Sequence, residues 1–274
     1  MYNSHNSPTE KAVSPLKKFA LIGKKLGHSY SQRWFEELFA REGLQDYSYE
    51  LVEMPSLDGL RHWVQREGIC GFNVTVPYKQ AIIPQLDELD APAAAIGAVN
   101  CVTVEEGRLV GHNTDASAFQ QTLEEILRQS SNQAIKQSFV LGTGGAAHAV
   151  AYALAQLGIP YTFVSRTPEK HDNAISYDQL SKQLLTVNSK LLTINATPVG
   201  MYPAVDATPL DLSPFTQALK HSDNQAILIY DLIYNPSPTR LLREAAALGA
   251  IAKDGLEMLH RQAELSWEWF RQAE

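Results

Sequence analysis

Ser138-Phe139-Val140-Leu141-Gly142-Thr143-Gly144-Gly145-Ala146-Ala147 is an apolar run that breaks into glycines and continues as small residues at helical spacing to Leu157. It reads as strand, tight turn, helix. Gly142, Gly144 and Ala147 fall on a G-x-G-x-x-A spacing. The first glycine permits the bend, the second lets a pyrophosphate approach the backbone, and the small third residue lets helix and strand close. Unpaired N–H groups at the helix start then face phosphate oxygens. A bare glycine pattern is often only a tight turn. The strand before it and the helix after it carry the reading past that.

Toward the carboxyl terminus, 161–165, 191–195 and 227–232 read as strands and 238–248 as a helix. A last helix over 255–271 carries Leu256, Leu259, Ala263, Trp267 and Phe270 on one side. Strands separated by helices predict a parallel, right-handed α/β sheet. At the end of the second strand an NAD site usually places a carboxylate, about 20 residues after the glycines, for the ribose 2′-OH. This chain has Ser165-Arg166-Thr167 there, with Lys170 close by. Glu169 and Asp172 lie further along, on an expected helix. One arginine alone is most often a solvated loop residue. Coupled to the glycine turn, guanidinium and hydroxyls suit a 2′-phosphate, and the expected cofactor is NADP(H).

Toward the amino terminus the polar stretch 129–133 forms a seam. Before it, 18–23, 47–52 and 69–74 read as strands, and 99–104 with 108–112 as a short hairpin. Helices are expected over 31–41, over 57–66 opened by Ser56, and over 115–128, with Pro77 in the first turn of a short one. The expected organisation is a flexible extension (1–16), a substrate-binding α/β domain (17–115), a Rossmann-type nucleotide domain (116–252) and a terminal helix (253–274) packing back on the first domain.

The chain has 274 residues, 45% hydrophobic and 19% charged, an ordinary globular balance that excludes wholesale disorder. Its 23 Lys and Arg against 30 Asp and Glu give a formal charge of −7, which speaks against nucleic-acid or anionic-membrane binding. Cys70 and Cys101 form neither a CxxC nor a zinc spacing, which suits a reducing cytosol. The polar amino terminus lacks a signal-peptide core, and no run of about 20 apolar residues occurs. The eight histidines show no ligand spacing, so no metal is expected.

Four clusters in the first half place short polar side chains where the chain leaves a strand: 29–31, 73–79, 98–100 and 113–115. Buried polar groups without partners are costly, so their gathering points to a polyhydroxylated acid as ligand. Singly, each has a plainer explanation. Ser29 or Ser31 could cap a helix; Asn73, Asn100 and Asn113 could form turns; Asp115 could be an N-cap; Lys79 could be a solvated lysine. His112, near Asp115, is a rival proton donor.

These clusters, with Gly71-Phe72-Asn73-Val74-Thr75-Val76-Pro77-Tyr78-Lys79, Asn113-Thr114-Asp115, the glycine turn, Asn195-Ala196-Thr197, the run 230–236 and the run 254–262, resemble the shikimate dehydrogenases over nearly the whole chain. The resemblance implies reversible reduction of 3-dehydroshikimate to shikimate by NADPH, in aromatic amino acid biosynthesis. It gives Ser29, Ser31, Asn73, Thr75, Asn100 and Gln262 to shikimate binding, and Lys79 and Asp115 to catalysis with substrate contact. Gly142, Thr143, Gly144, Gly145 and Ala146 match the pyrophosphate turn. Ser165, Arg166, Thr167 and Lys170 match the adenosine phosphate site, with Thr197 on the cofactor side. Tyr234 and Met258 match residues where substrate and nicotinamide meet. Gln32 to Phe35 depart from the pattern that usually follows the second serine. A quinate/shikimate dehydrogenase using NAD, and a non-catalytic NADP-sensing protein, remain as alternatives. The expected assembly is a monomer or homodimer in the cytoplasm, with no nucleic-acid or membrane partner.

Overall fold

A computed structural model describes residues 16–27, 30–129, 135–184, 190–213 and 227–273. Two six-stranded sheets organise them. The first contains β1 (Lys17–Gly23), β2 (Tyr47–Glu53), β3 (Ile69–Val74), β4 (Glu88–Leu89), β5 (Cys101–Glu105) and β6 (Arg108–His112), in the order β2-β1-β3-β5-β6-β4. β1 pairs in parallel with β2 and β3, while the hairpin β5–β6 returns antiparallel against β3.

The second sheet contains β7 (Gln137–Leu141), β8 (Tyr161–Val164), β9 (Ala174–Ile175), β10 (Leu191–Asn195), β11 (Ile227–Asp231) and β12 (Ile251–Lys253). Its order is β12-β11-β10-β7-β8-β9 and every pairing is parallel. This is the doubly wound, Rossmann-type arrangement that the alternating apolar runs predict. β7, at its centre, carries the glycine turn at its carboxyl end, where such sheets bind ligands.

Both faces of β1 are covered, which is why its last five residues are all buried. On one face Phe19 meets Phe39 of α1 (Tyr30–Glu42) and Trp267 and Phe270 of α9 (Leu256–Gln272). On the other, Ile22 and Phe72 pack with Leu60 and Val64 of α2 (Leu60–Glu67). The second sheet is covered likewise. Against one face, Phe119 and Leu123 of α5 (Thr114–Gln129) join Ala147, Val150 and Leu154 of α6 (Gly145–Gln156). Against the other, Leu180 of α7 (Tyr177–Leu184) and Leu241 of α8 (Arg240–Ala247) pack with Phe139 and Leu141. Met258, at the start of α9, belongs to the core of α5 and α6, while Ala263, Trp267 and Phe270 belong to that of the first sheet. One helix is therefore shared between two cores.

Local outcomes differ from the sequence reading in four places. α2 begins at Leu60 after Gly59 at φ 76°, so Ser56 does not open it; its hydroxyl donates to Asp58 Oδ2 instead (2.8 Å). Pro77 precedes α3 (Tyr78–Ala81), because the Tyr78 N–H already bonds Thr75 O (2.9 Å) and encloses Val76-Pro77 in a turn. Asp115 lies inside the first turn of α5; Asn113 is the residue whose Oδ1 accepts the Ala116 N–H (3.1 Å). Beyond Arg166 a single 3-10 turn over Pro168–Lys170 replaces the expected helix, leaving Asp172 outside it. Residues 130–133 of the seam and residues 1–15 of the extension lie outside the described residues, while Gln129 ends α5. No described helix is long and apolar enough to cross a membrane.

Candidate active site

Lys79 stands on α3, directly after the strand-to-turn run Asn73 to Pro77, and Asp115 stands in the first turn of α5. Their side chains meet at 2.6 Å, Nζ to Oδ2, and are 18% and 8% exposed. The plainer readings of both residues therefore fall away: the lysine is not a solvated surface group and the aspartate is not a cap. Because Asn113 caps α5, the Asp115 carboxylate is free to take the ammonium. Its other oxygen accepts from Asn100 Nδ2 (3.0 Å), so each carboxylate oxygen of the buried ion pair has a partner.

The expectation that a ligand must supply partners for the buried amides is corrected by their mutual bonding. Asn73 is buried and its carboxamide is fully used. Its Oδ1 accepts from Tyr49 Oη (2.8 Å), and its Nδ2 donates to Asn100 O (3.1 Å) and Ser266 Oγ (2.8 Å). Asn100 Oδ1 accepts the Thr114 N–H (2.7 Å), and its Nδ2 donates to Thr114 Oγ1 (2.8 Å) as well as Asp115. Asn113 Nδ2 donates to Ala98 O (2.8 Å). These amides are not turn formers; they tie β3, β5, α5 and α9 together around the ion pair.

Groups that keep access to solvent border this network. Ser31, Thr75, Lys79 and Gln262 are half-buried. Gln262 Oε1 lies 3.4 Å from Asn100 Nδ2, bringing α9 to the pocket. Ser29 lies outside the described residues. Tyr234, half-buried, meets the ring of Tyr30 edge-on at 5.3 Å, joining the segment after β11 to the start of α1. Burial raises the Tyr234 hydroxyl pKa, and neighbouring Tyr30 adds to the rise. His112 is excluded as a rival donor. It ends β6 rather than lying in a loop, and its ring bonds Asp90 Oδ2 (3.0 Å) and Thr103 Oγ1 (3.1 Å) and stacks on Trp269 at 3.8 Å.

The glycine turn fits an approaching pyrophosphate. Gly142 adopts φ +101°, and a Cβ there would press on Thr197 Cγ2 at 3.1 Å and Ala196 O at 3.3 Å. Nothing lies within 4 Å of a Cβ position on Gly144, and α6 has no side-chain cap on its first N–H groups. Gly145 serves a different purpose. A Cβ there would come within 3.0 Å of Lys79 Cβ and 3.2 Å of Ala98 Cβ. The turn and the lysine stem are thus in direct contact.

Ser165 is buried and its Oγ accepts the Thr167 N–H (3.1 Å), while Arg166 and Lys170 are exposed. Thr143 Oγ1 lies 3.2 Å from His171 Nε2, a neighbour the motif reading passes over. Thr197 donates its N–H (3.0 Å) and hydroxyl (2.7 Å) to Asn195 Oδ1, and Asn195 Nδ2 reaches Asp231 Oδ1 (2.9 Å). Asp231 is fully buried and also holds the Ile233 N–H (3.1 Å) and the Thr239 hydroxyl (2.7 Å). Burial pushes its carboxyl up to about 6. Asp231 sits inside a quoted motif, yet only its neighbours in space show that it anchors the segment bearing Tyr234. Among the described residues no three His, Cys, Asp or Glu side chains gather as metal ligands.

Comparison with known proteins bears on the chain as a whole. Residues 21–102 match the model for the shikimate dehydrogenase substrate binding domain. A shikimate dehydrogenase (NADP(+)) of Shouchella clausii is 37% identical over 263 residues, covering 92% of each chain. Shikimate 5-dehydrogenase from Thermus thermophilus, solved with NADP(H) and shikimate, superposes with a TM-score of 0.77 at 32% identity, covering 93% of this chain and 94% of the other. Quinate dehydrogenase from Corynebacterium glutamicum, solved with NAD, gives 0.78 at 28% identity over 93% and 94%. With relatives of that identity spanning nearly its full length, the chain belongs to the shikimate dehydrogenase family.

Proposed function

We propose that this chain reversibly reduces 3-dehydroshikimate to shikimate with NADPH, in the biosynthesis of aromatic amino acids. The observation that carries the reading is the Lys79–Asp115 pair at 2.6 Å, with the lysine stem resting on Gly145 of the glycine turn. Gly142, Thr143, Gly144, Gly145 and Ala146 would hold the pyrophosphate, and Ser165, Arg166, Thr167 and Lys170 the 2′-phosphate, with Thr197 and Met258 on the same side. Held by these residues, the cofactor would supply the hydride that reduces the ketone carbon.

Negative charge then grows on the ketone oxygen, and the Lys79 ammonium neutralises it by donating a proton; in the oxidative direction the lysine takes that proton back. Asp115 holds Nζ in place and accepts from a substrate hydroxyl. Ser29, Ser31, Thr75, Tyr234 and Gln262 bind the remaining hydroxyls and the carboxylate, while Asn100, whose amide protons go to Thr114 and Asp115, takes part through the Asp115 carboxylate. The carboxamide of Asn73 already has its partners within the protein, so its share in substrate binding runs through Asn100 and Ser266.

Arg166, where an NAD site would carry an acid, favours NADP over NAD. The free thiols of Cys70 and Cys101 accord with a reducing cytoplasm. Following cofactor reduction at 340 nm with shikimate and NADP+ tests the proposal, with quinate and NAD+ as parallel arms. Turnover with shikimate and NADP+ is expected. Preference for quinate and NAD+ would replace the reading with the quinate one, and cofactor binding without turnover would replace it with a sensor.

A further inference from the structure

We propose that Ser266, on the carboxyl-terminal helix α9, is a positioning residue for the Lys79–Asp115 pair, acting through Thr114 and Asn100. The inference rests on the functional reading above. Ser266 is fully buried, 193 residues from Asn73 in the chain and 152 from Thr114, yet its hydroxyl touches both, at 2.8 and 3.2 Å.

The direction of every proton in this network follows from groups that have no choice. A backbone carbonyl can only accept, so the bond from Asn73 to Asn100 O fixes Nδ2 on that side and turns Oδ1 toward Tyr49, which must donate. Burial keeps Tyr49 a neutral phenol able to do so. A backbone N–H can only donate, so the Thr114 N–H fixes Asn100 Oδ1 and turns Nδ2 toward Thr114 Oγ1 and Asp115 Oδ1. Ser266 in turn donates to Gln262 O (2.8 Å). Its oxygen therefore receives one proton from Asn73 and one from Thr114.

The chain runs from Ser266 through Thr114 and Asn100 to Asp115 Oδ1, and through the same carboxylate to Lys79. With the Ser266 oxygen gone, the Thr114 hydroxyl proton loses its acceptor and the hydroxyl no longer holds its oxygen toward Asn100 Nδ2. The amide is then free to turn, and its bond to Asp115 Oδ1, with the ammonium beside it, loses its fixed geometry. The other titratable group facing Ser266 is Cys101, whose thiol is pushed up by burial. It stays neutral across the assay range.

The test is Ser266→Ala in the full chain, assayed with shikimate and NADP+ beside the parent, with Thr114→Val as a second, isosteric variant. The expected result for each is a fall in kcat of about 10-fold, a displaced pH–rate profile, and an NADP+ KM within about two-fold of the parent. The double variant should lose little more than either single one. Parental kcat and pH profile in both variants, even with a lowered melting temperature, would overturn the proposal by leaving Ser266 a structural residue. The parent's own turnover reports on the functional reading separately. If Ser266→Ala does not fold, Thr114→Val decides between the same outcomes.

Discussion

The two ends of the candidate site are built in opposite ways. Around Lys79 and Asp115, buried side chains from β3, β5, α5 and α9 satisfy one another, and each hydrogen bond fixes the next. At the other end the charged groups stand exposed, Arg166 just before the short 3-10 turn and Lys170 at its end. The first corner is organised by the protein itself, so its geometry precedes substrate. The second offers charge and flexible reach, and its order is expected to come with the ligand. Chemistry that must hold a proton donor in register needs the former, whereas recognition of a phosphate at the surface can use the latter.

Substitutions at the two corners should therefore fail differently. Lys79→Ala removes the proposed proton donor and takes the cation from beside buried Asp115. The expected loss in kcat is about 10²–10⁴ with little change in KM, and steady-state kinetics with shikimate check it. An unaltered kcat would remove the assignment and with it the contrast. Arg166→Ala should leave kcat alone and raise the NADP+ KM by roughly 10- to 100-fold, the worth of one or two charge-assisted hydrogen bonds, while NAD+ kinetics barely change. Equal damage to both cofactors would show that Arg166 does not read the 2′-phosphate.

Gly145→Ala probes the point where the corners touch. Its new methyl group would meet Lys79 Cβ and Ala98 Cβ, neither of which can swing aside as the tip of a long side chain can. A fall in kcat of about 10-fold is expected, read from the same assay. A parental value would mean that the lysine does not lean on the glycine turn.

The smallest effect concerns the two buried aspartates. Asp115 faces a cation, whereas Asp231 is held by neutral donors and its carboxyl is raised to about 6. In the unfolded chain it returns to its ordinary lower value, so between the two the folded state binds more protons. Its stabilising contribution is complete at low pH and lost as pH rises through about 6. The loss from pH 5 to pH 7 is about 1 kcal/mol, a few degrees in melting temperature. Thermal melts of Asp231→Asn should show a flatter fall than the parent over that interval. Matching slopes would mean that Asp231 titrates as an ordinary carboxylate.

Much of this could be read from short stretches of chain. The glycine turn and the parallel second sheet rest on local patterns, whereas the pairing of Lys79 with Asp115, from two motifs 36 residues apart, follows only from the family resemblance. The sequence reading passes over α4 (Ala91–Ile96), although Asp90-Ala91-Pro92 carries the signal of an acid at N-cap and a proline just inside; Asp90 Oδ1 accepts the Ala93 N–H (2.7 Å). Ser266 carries no such signal. It is one serine one turn after Gln262, and the side chains of Asn73 and Thr114 that it meets lie more than 150 residues away. The self-satisfied state of Asn73 was hidden for the same reason, since Tyr49 and Ser266 enter from separate elements. Residue type announced a polar pocket; only spatial assembly distinguishes an amide that awaits a ligand from one already engaged.

The bare flank of Gly145 also bears on how such a protein could be recombined. A nucleotide-binding half taken from another dehydrogenase would seat against this half only if it presented a hydrogen atom at the position abutting the lysine stem. Any side chain there would act as a wedge, so compatibility between exchanged modules hinges on one missing carbon rather than on the breadth of their shared surface.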